Sequence, residues 1–283
     1  MRELFGCKGI QPDLDPKNIK VRESCDSDLN PLSTPIIVAV DDTGSMGFLA
    51  ETLIRKGLGV LIEEIYKRKP VTDPHVMCMA VGDAWYDAAP LQATQFETDM
   101  RLVEQLSRFY IEGGGGGNNF ESYNLPWYFA ATRTRCDAFL KRQKKGHLFT
   151  VGDEPPPPGL PAKLARRIFG DELQADLTTA ELFKMASEAW EIFHIIVEEG
   201  SYCRARSQHC KESWQKVLGQ RAIPLADHTK LAELIVSTIA VNEGADLDDI
   251  ATSWGDDASQ VIANSLGSLM RLPAKAARGL IRF

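Results

Sequence analysis

The residues with the most chemical promise are Asp41, Thr43 and Ser45, in the run Asp41-Asp42-Thr43-Gly44-Ser45-Met46. They alternate, so an extended turn points all three side chains to one side, and Gly44 lets the backbone bend between them. One carboxylate and two hydroxyls form an all-oxygen set suited to a hard cation such as Mg²⁺, with Mn²⁺ or Ca²⁺ as alternatives. Mg²⁺ prefers an octahedral shell at ~2.0–2.1 Å and keeps several waters, so a three-ligand loop leaves it open to a further partner. The same residue types also cap helices well. For this loop alone, capping is the plainer reading.

The elements around the loop decide what can join it. Ahead of it, Ile36-Ile37-Val38-Ala39-Val40 is a β-branched run of the kind that forms a strand buried on both faces. In open parallel sheets, ligands bind outside the carboxyl ends of the strands. Two more loops stand in such places. Five glycines at 113–117 are followed by Asn118-Asn119-Phe120-Glu121-Ser122; the glycines permit close backbone approach, and Asn118 offers a carbonyl oxygen. Thr150-Val151-Gly152-Asp153-Glu154-Pro155 ends the strand pattern at 147–151, and Asp153 brings a second carboxylate to the same end of the sheet. Each loop is weak evidence alone; their weight lies in convergence at one rim.

In these three places the chain resembles the von Willebrand factor A (vWA) domain family. IIVAVDDTGSM resembles its opening DxSxS motif, with Thr43 keeping the hydroxyl of the middle serine. GGGGGNNFESY resembles the GGGDxPE variant of its second motif, with Asn118 at the Thr or Asp position and Glu121 at the glutamate. LFTVGDEP resembles the strand ending in TDGEP, with Asp153 at the aspartate. Glycine and threonine are rearranged around Asp153, and Asn118 carries no charge. The resemblance implies a metal-ion-dependent adhesion site (MIDAS) with Asp41, Thr43, Ser45, Asn118 and Asp153 around the metal and Glu121 nearby as orienter. It also implies that an acidic residue from a protein partner completes the coordination. Intracellular members act as adaptors in larger assemblies, including ones with AAA+ ATPases. No catalytic residues are expected.

The rest of the chain reads as an α/β alternation. Leu49, Leu53, Ile54, Leu58, Leu61, Ile62 and Ile65 predict a helix over 48–67. Strands are expected at 35–40, 76–81, 91–96, 147–151, 192–197 and 222–225. Helices are expected at 98–110, with Thr98 as cap, at 121–143, in the segment up to 189, at 207–218 and at 229–241. This order predicts a doubly wound, mostly parallel six-stranded sheet with helices on both faces, vWA or Rossmann-like. Residues 1–34 read as an irregular N-terminal arm, 35–243 as the vWA-like domain and 244–283 as a helical C-terminal extension. In that extension, Val261, Ile262, Leu266, Leu269 and Met270 have helical spacing. A basic tail of Arg271, Lys275, Arg278 and Arg282 surrounds Leu280 and Ile281; packing on its own domain is the plainer reading, docking on an acidic partner or membrane the other.

Composition narrows the function classes. With 283 residues, 44% hydrophobic and 25% charged, the chain can bury a full core without staples. A formal charge of −7 argues against nucleic-acid binding. No apolar run matches a membrane span and the N-terminus lacks a signal-peptide core, so a cytoplasmic protein is expected. The six cysteines lack a CxxC pair, and Cys203, His209 and Cys210 lack a fourth ligand for structural zinc. The main enzymatic alternative is a haloacid-dehalogenase-like phosphohydrolase with Asp41 as nucleophile. Its general acid would stand at Thr43, where there is no carboxylate, and its lysine has no well-placed candidate. The glycine run matches neither a P-loop nor GxGxxG.

Overall fold

A computed structural model describes residues 9–114 and 116–269. Six strands form the central sheet: β1 (Thr34–Asp41), β2 (Pro74–Val81), β3 (Leu91–Ala93), β4 (Gly146–Gly152), β5 (Trp190–Val197) and β6 (Ala222–Leu225). Their spatial order is β6-β5-β4-β1-β2-β3, with only β3 antiparallel. All six occur where the apolar runs predict them, with β3 ending at Ala93 rather than at the expected 96. The first strand alternates between two cores: Ile36, Val38 and Val40 join one cluster, Ile37 and Ala39 the other. That two-residue period on a strand buried throughout is what a sheet covered on both faces requires.

Helices α1 (Phe48–Thr52) and α2 (Leu58–Arg68) are joined by a π-helical stretch, Leu53–Gly57, and lie on the first face with α3 (Arg101–Leu106) and α9 (Leu231–Asn242). The second face carries α4 (Asn124–Thr132), α6 (Ala162–Phe169), α7 (Thr179–Ala186) and α8 (Ser201–Leu218), with Trp127, Trp190 and Trp214 fully buried among them. A short helix, α5 (Asp137–Arg142), follows α4. Helices α10 (Leu247–Thr252) and α11 (Asp256–Leu266) pack against the first core through Leu247, Ile262, Leu266 and Leu269. Trp254, between them, sits under the Arg68 guanidinium and donates to Ser237 Oγ at 2.8 Å. Met270 and the basic tail to Arg282 lie outside the described residues.

Three helix expectations change, the first two because tertiary partners claim backbone that periodicity alone would make helical. The helix expected at 98–110 spans only Arg101–Leu106, with Met100 rather than Thr98 at its cap. Glu97 is held against Val76 in both directions, keeping the chain extended there. At the other end, Gln92 exchanges two hydrogen bonds with the Tyr110 backbone. The helix expected at 121–143 is split between α4 and α5 by Thr134–Cys136, which pairs in parallel with Arg22–Ser24. The helix expected from 207 begins at Ser201 and bends at Arg206, whose φ of −139° is not helical.

Residues 9–33 are anchored to the sheet at several points. Besides that short strand they bury Leu14 and Ile19, and Leu14 O accepts a hydrogen bond from Ala93 N on β3. Arg22 reinforces the attachment by donating to the carbonyls of Asp13 and Ala93.

Candidate metal centre

The parallel register puts the carboxyl ends of the inner strands level: Asp41 pairs with Val81, Val40 with Val151, and Gly152 with Ile196. The loops that follow therefore share one rim, and their side chains meet. Thr43 Oγ1 donates to Asp41 Oδ1 at 2.6 Å and lies 3.3 Å from Ser45 Oγ. Ser45 Oγ donates to Asp153 Oδ1 at 2.7 Å. A continuous chain of oxygens thus joins Asp41 to Asp153 across 112 positions of sequence separation (153 − 41). These residues do not cap the following helix: its N-terminal cap is Gly47, which has no side chain to offer.

Asp153 is held by helix α8, whose Tyr202 N–H donates to Oδ2 at 2.8 Å, while Cys210 Sγ reaches its carbonyl. Ser201 ties the other side of the site to the same helix start, donating from N and Oγ to Ser45 O at 3.1 and 2.8 Å. The glycine run completes the wall by its lack of side chains. Gly44 N donates to Gly114 O at 2.6 Å, and a Cβ on Gly44 would lie 2.9 Å from that oxygen. A Cβ on Gly114 would collide with Asp87, one on Gly116 with Tyr86, and one on Gly200 with Asp153.

Asn118 and Glu121 are not part of this oxygen chain of Asp41, Thr43, Ser45 and Asp153. Asn118 Nδ2 donates to Asp83 Oδ2 at 2.8 Å, and its Oδ1 has no partner among the described residues. Glu121 is 2% exposed and its Oε2 is unpartnered among the described residues.

Sequence reasoning missed Tyr123, Asp83 and Glu154. Tyr123 donates to Asp41 Oδ2 at 2.5 Å from a fully buried ring. Asp83 follows β2 in the triplet Val81-Gly82-Asp83, the same triplet as Val151-Gly152-Asp153 after β4. The repeat was the available signal, because both strands flank β1. Glu154 is positioned by Trp214, whose Nε1 donates to its carbonyl at 2.8 Å, and its Oε2 is unpartnered among the described residues. Cys203 and Cys210 lie buried on the inner side of α8 while His209 is exposed, so the three do not converge on zinc.

The electrostatics are one-sided. No lysine or arginine among the described residues forms an ion pair with Asp41, Asp42, Asp83, Glu121, Asp153 or Glu154. Burial, and then the Asp153 charge, push Asp41 up to about 7 against the Thr43 and Tyr123 donors. Burial followed by the Asp41 charge lifts Glu121 to about 11 and Glu154 to about 8. Asp42 is raised well above its usual value by burial and then by Asp41. Buried acids held near one another without cations are unfavourable as anions, and a divalent ion relieves that repulsion. Hydroxyls that donate to the carboxylates keep lone pairs for the ion. The all-oxygen donors, the unpartnered Glu121 and Glu154 oxygens and the glycine-walled approach therefore fit a hard divalent cation.

No family model matches the sequence, and no curated protein does. Among solved structures, the chain is similar to the pilus adhesin SpaC from Lactobacillus rhamnosus GG in its open conformation, at 10% identity and a TM-score of 0.50. That match covers 78% of this chain but 31% of the adhesin, so the chain spans about a third of the adhesin's length. A von Willebrand factor type A structure from Catenulispora acidiphila matches at 13% identity and a TM-score of 0.41, over 74% of this chain and 42% of the other. Proximal thread matrix protein 1 from the mussel byssus, with a zinc-occupied MIDAS motif, matches at 11% identity and 0.46, over 77% and 48%. At these identities the likeness to the adhesin concerns the fold.

Proposed function

We propose that this chain, whose fold is of the von Willebrand factor A type, is a divalent-cation-dependent protein-binding module without catalytic activity of its own. The carrying observation is the oxygen chain Asp41–Thr43–Ser45–Asp153, closed at a rim with no neutralising cation among the described residues. In this reading Asp41, Thr43, Ser45 and Asp153 surround Mg²⁺, Mn²⁺ or Ca²⁺. Asn118 acts through Asp83, and Glu121 and Tyr123 orient the set.

Glu121, pushed to about 11, keeps its proton at neutral pH in the metal-free protein and adds no competing charge. Asp41 and Asp153 then balance the ion, whose remaining coordination positions accept a carboxylate from the partner. The partner is a protein presenting an acidic residue, within a larger assembly in which an AAA+ ATPase is one candidate. We assign the module to the cytoplasm; the described cysteines are free thiols, in keeping with a reducing compartment. Among the described residues no helix is long and apolar enough to cross a membrane.

The test is calorimetric titration of the full chain with Mg²⁺, Mn²⁺ and Ca²⁺, followed by capture of partners with and without chelator. One ion per chain at this site, lost in Asp41→Ala and Asp153→Ala together with chelator-sensitive capture, is expected. Mg²⁺ or Ca²⁺ binding that survives both substitutions overturns the reading.

A further inference from the structure

We propose that Glu199, Asp227 and His228 form a second divalent-metal site, of mixed nitrogen and oxygen donors, at a neighbouring corner of the same rim. Glu199 follows β5, and Asp227 and His228 follow β6; the strands are held in register by Val197 opposite Leu225 and by Glu198 N donating to Leu225 O at 3.0 Å. One ligand atom from each of the three residues lies within 4.8 Å of the others. His228 Nδ1 is 2.8 Å from Glu199 Oε2. Ligands at ~2.0–2.2 Å from a tetrahedral ion stand roughly 3.3–3.6 Å apart. The 2.8 Å pair would open slightly to admit an ion, with the third ligand atom within 4.8 Å of both residues' ligand atoms.

The surroundings hold these groups in place. Glu199 Oε2 also accepts from His228 N at 2.6 Å, fixing the glutamate against the strand end. Asp227 Oδ1 accepts from Thr229 N and Oγ1, which anchors its carboxylate. The Phe48 ring meets the imidazole edge to face, centroids 6.3 Å apart. A cavity of about 220 Å³, lined by Leu53, Lys56, Val60, His228, Thr229 and Leu231, borders the histidine on a side away from the two carboxylates, which do not line it. The ring nitrogen sets the metal class: imidazole with carboxylates suits Zn²⁺ and its first-row neighbours, whereas the first site offers only oxygen to hard ions. The two sites adjoin, since Ser201 holds Ser45 two residues beyond Glu199.

Calorimetric titration of the full chain with Zn²⁺, in saturating Mg²⁺ to fill the oxygen site, separates this proposal from the first. One Zn²⁺ per chain is expected, retained in Asp41→Ala and in His209→Ala, a control for exposed histidine. His228→Ala and Glu199→Gln should each lose at least about 10-fold in Zn²⁺ affinity, the low end of what even an outer-shell change costs a metal site. Far-UV circular dichroism checks that both variants are folded, and Glu199→Gln keeps the side-chain volume. Zn²⁺ binding unchanged in folded His228→Ala and Glu199→Gln, or no Zn²⁺ binding by the Mg²⁺-saturated chain, overturns the proposal. So does loss of the Zn²⁺ site in Asp41→Ala.

Discussion

Replacing Asp41 with asparagine should make the metal-free protein more stable at pH 8 while removing its response to metal. Asp41 is fully buried, and its carboxyl is raised from 3.8 to about 7. The native state therefore holds this proton longer than the unfolded chain does. The resulting stabilisation is complete below about pH 4 and is lost as pH rises through about 7. Three units at about 1.4 kcal/mol each make the ionised group unfavourable by about 4 kcal/mol at pH 8. Asparagine is neutral throughout. Its carbonyl can still accept from Thr43, but its amide meets Tyr123 OH in place of Oδ2, a loss of about 1 kcal/mol.

The net gain of about 2–3 kcal/mol corresponds to a rise on the order of 3–5 °C in Tm for a chain of this size. Excess Mg²⁺ reverses the order, because an ion at about 1,000 times its Kd adds about 4 kcal/mol to the wild type and nothing to the variant. Thermal melts at pH 5 and 8, in chelator and in Mg²⁺, measure all four corners. A variant less stable than wild type at pH 8 in chelator, or one with an undiminished Mg²⁺ increment, refutes the reasoning.

Two further predictions probe the walls of the site. Tyr123→Phe removes the buried donor to Asp41 Oδ2, which should cost about 1–3 kcal/mol and move the pH midpoint of Mg²⁺ binding upward; an unmoved midpoint means that the phenol does not tune Asp41. Gly44→Ala places a Cβ against the Gly114 carbonyl, where backbone must shift. Destabilisation of about 1–3 kcal/mol is expected with about a 10-fold loss of Mg²⁺ affinity, and titration of the folded variant at wild-type affinity rejects a shaping role for the glycines.

The strands were readable because burial on both faces leaves a near-continuous β-branched signature, as in Ile36 to Val40. The meeting of Asp41, Thr43, Ser45 and Asp153 was readable because a parallel sheet sends successive post-strand loops to one rim. Tyr123 was not: its ring lies inside the second core and only the hydroxyl reaches the site, a placement set by how α4 packs. Asn118 was assigned by position in a motif, yet a side chain at the end of five glycines can turn to whichever carboxylate packing presents, here Asp83. The broken helix at Thr134 depended on Arg22–Ser24, more than a hundred residues earlier, beyond the reach of local periodicity.

Both borders of the sheet are closed to strand addition. The β6 border is four residues long and carries Pro224, which has no N–H to donate. The β3 border is three residues long, and Ala93 N is already bonded to Leu14 O. Copies of this chain therefore have little means of joining edge to edge into extended ribbons. Where such modules gather in number, helix faces and post-strand loops are left to make the junctions.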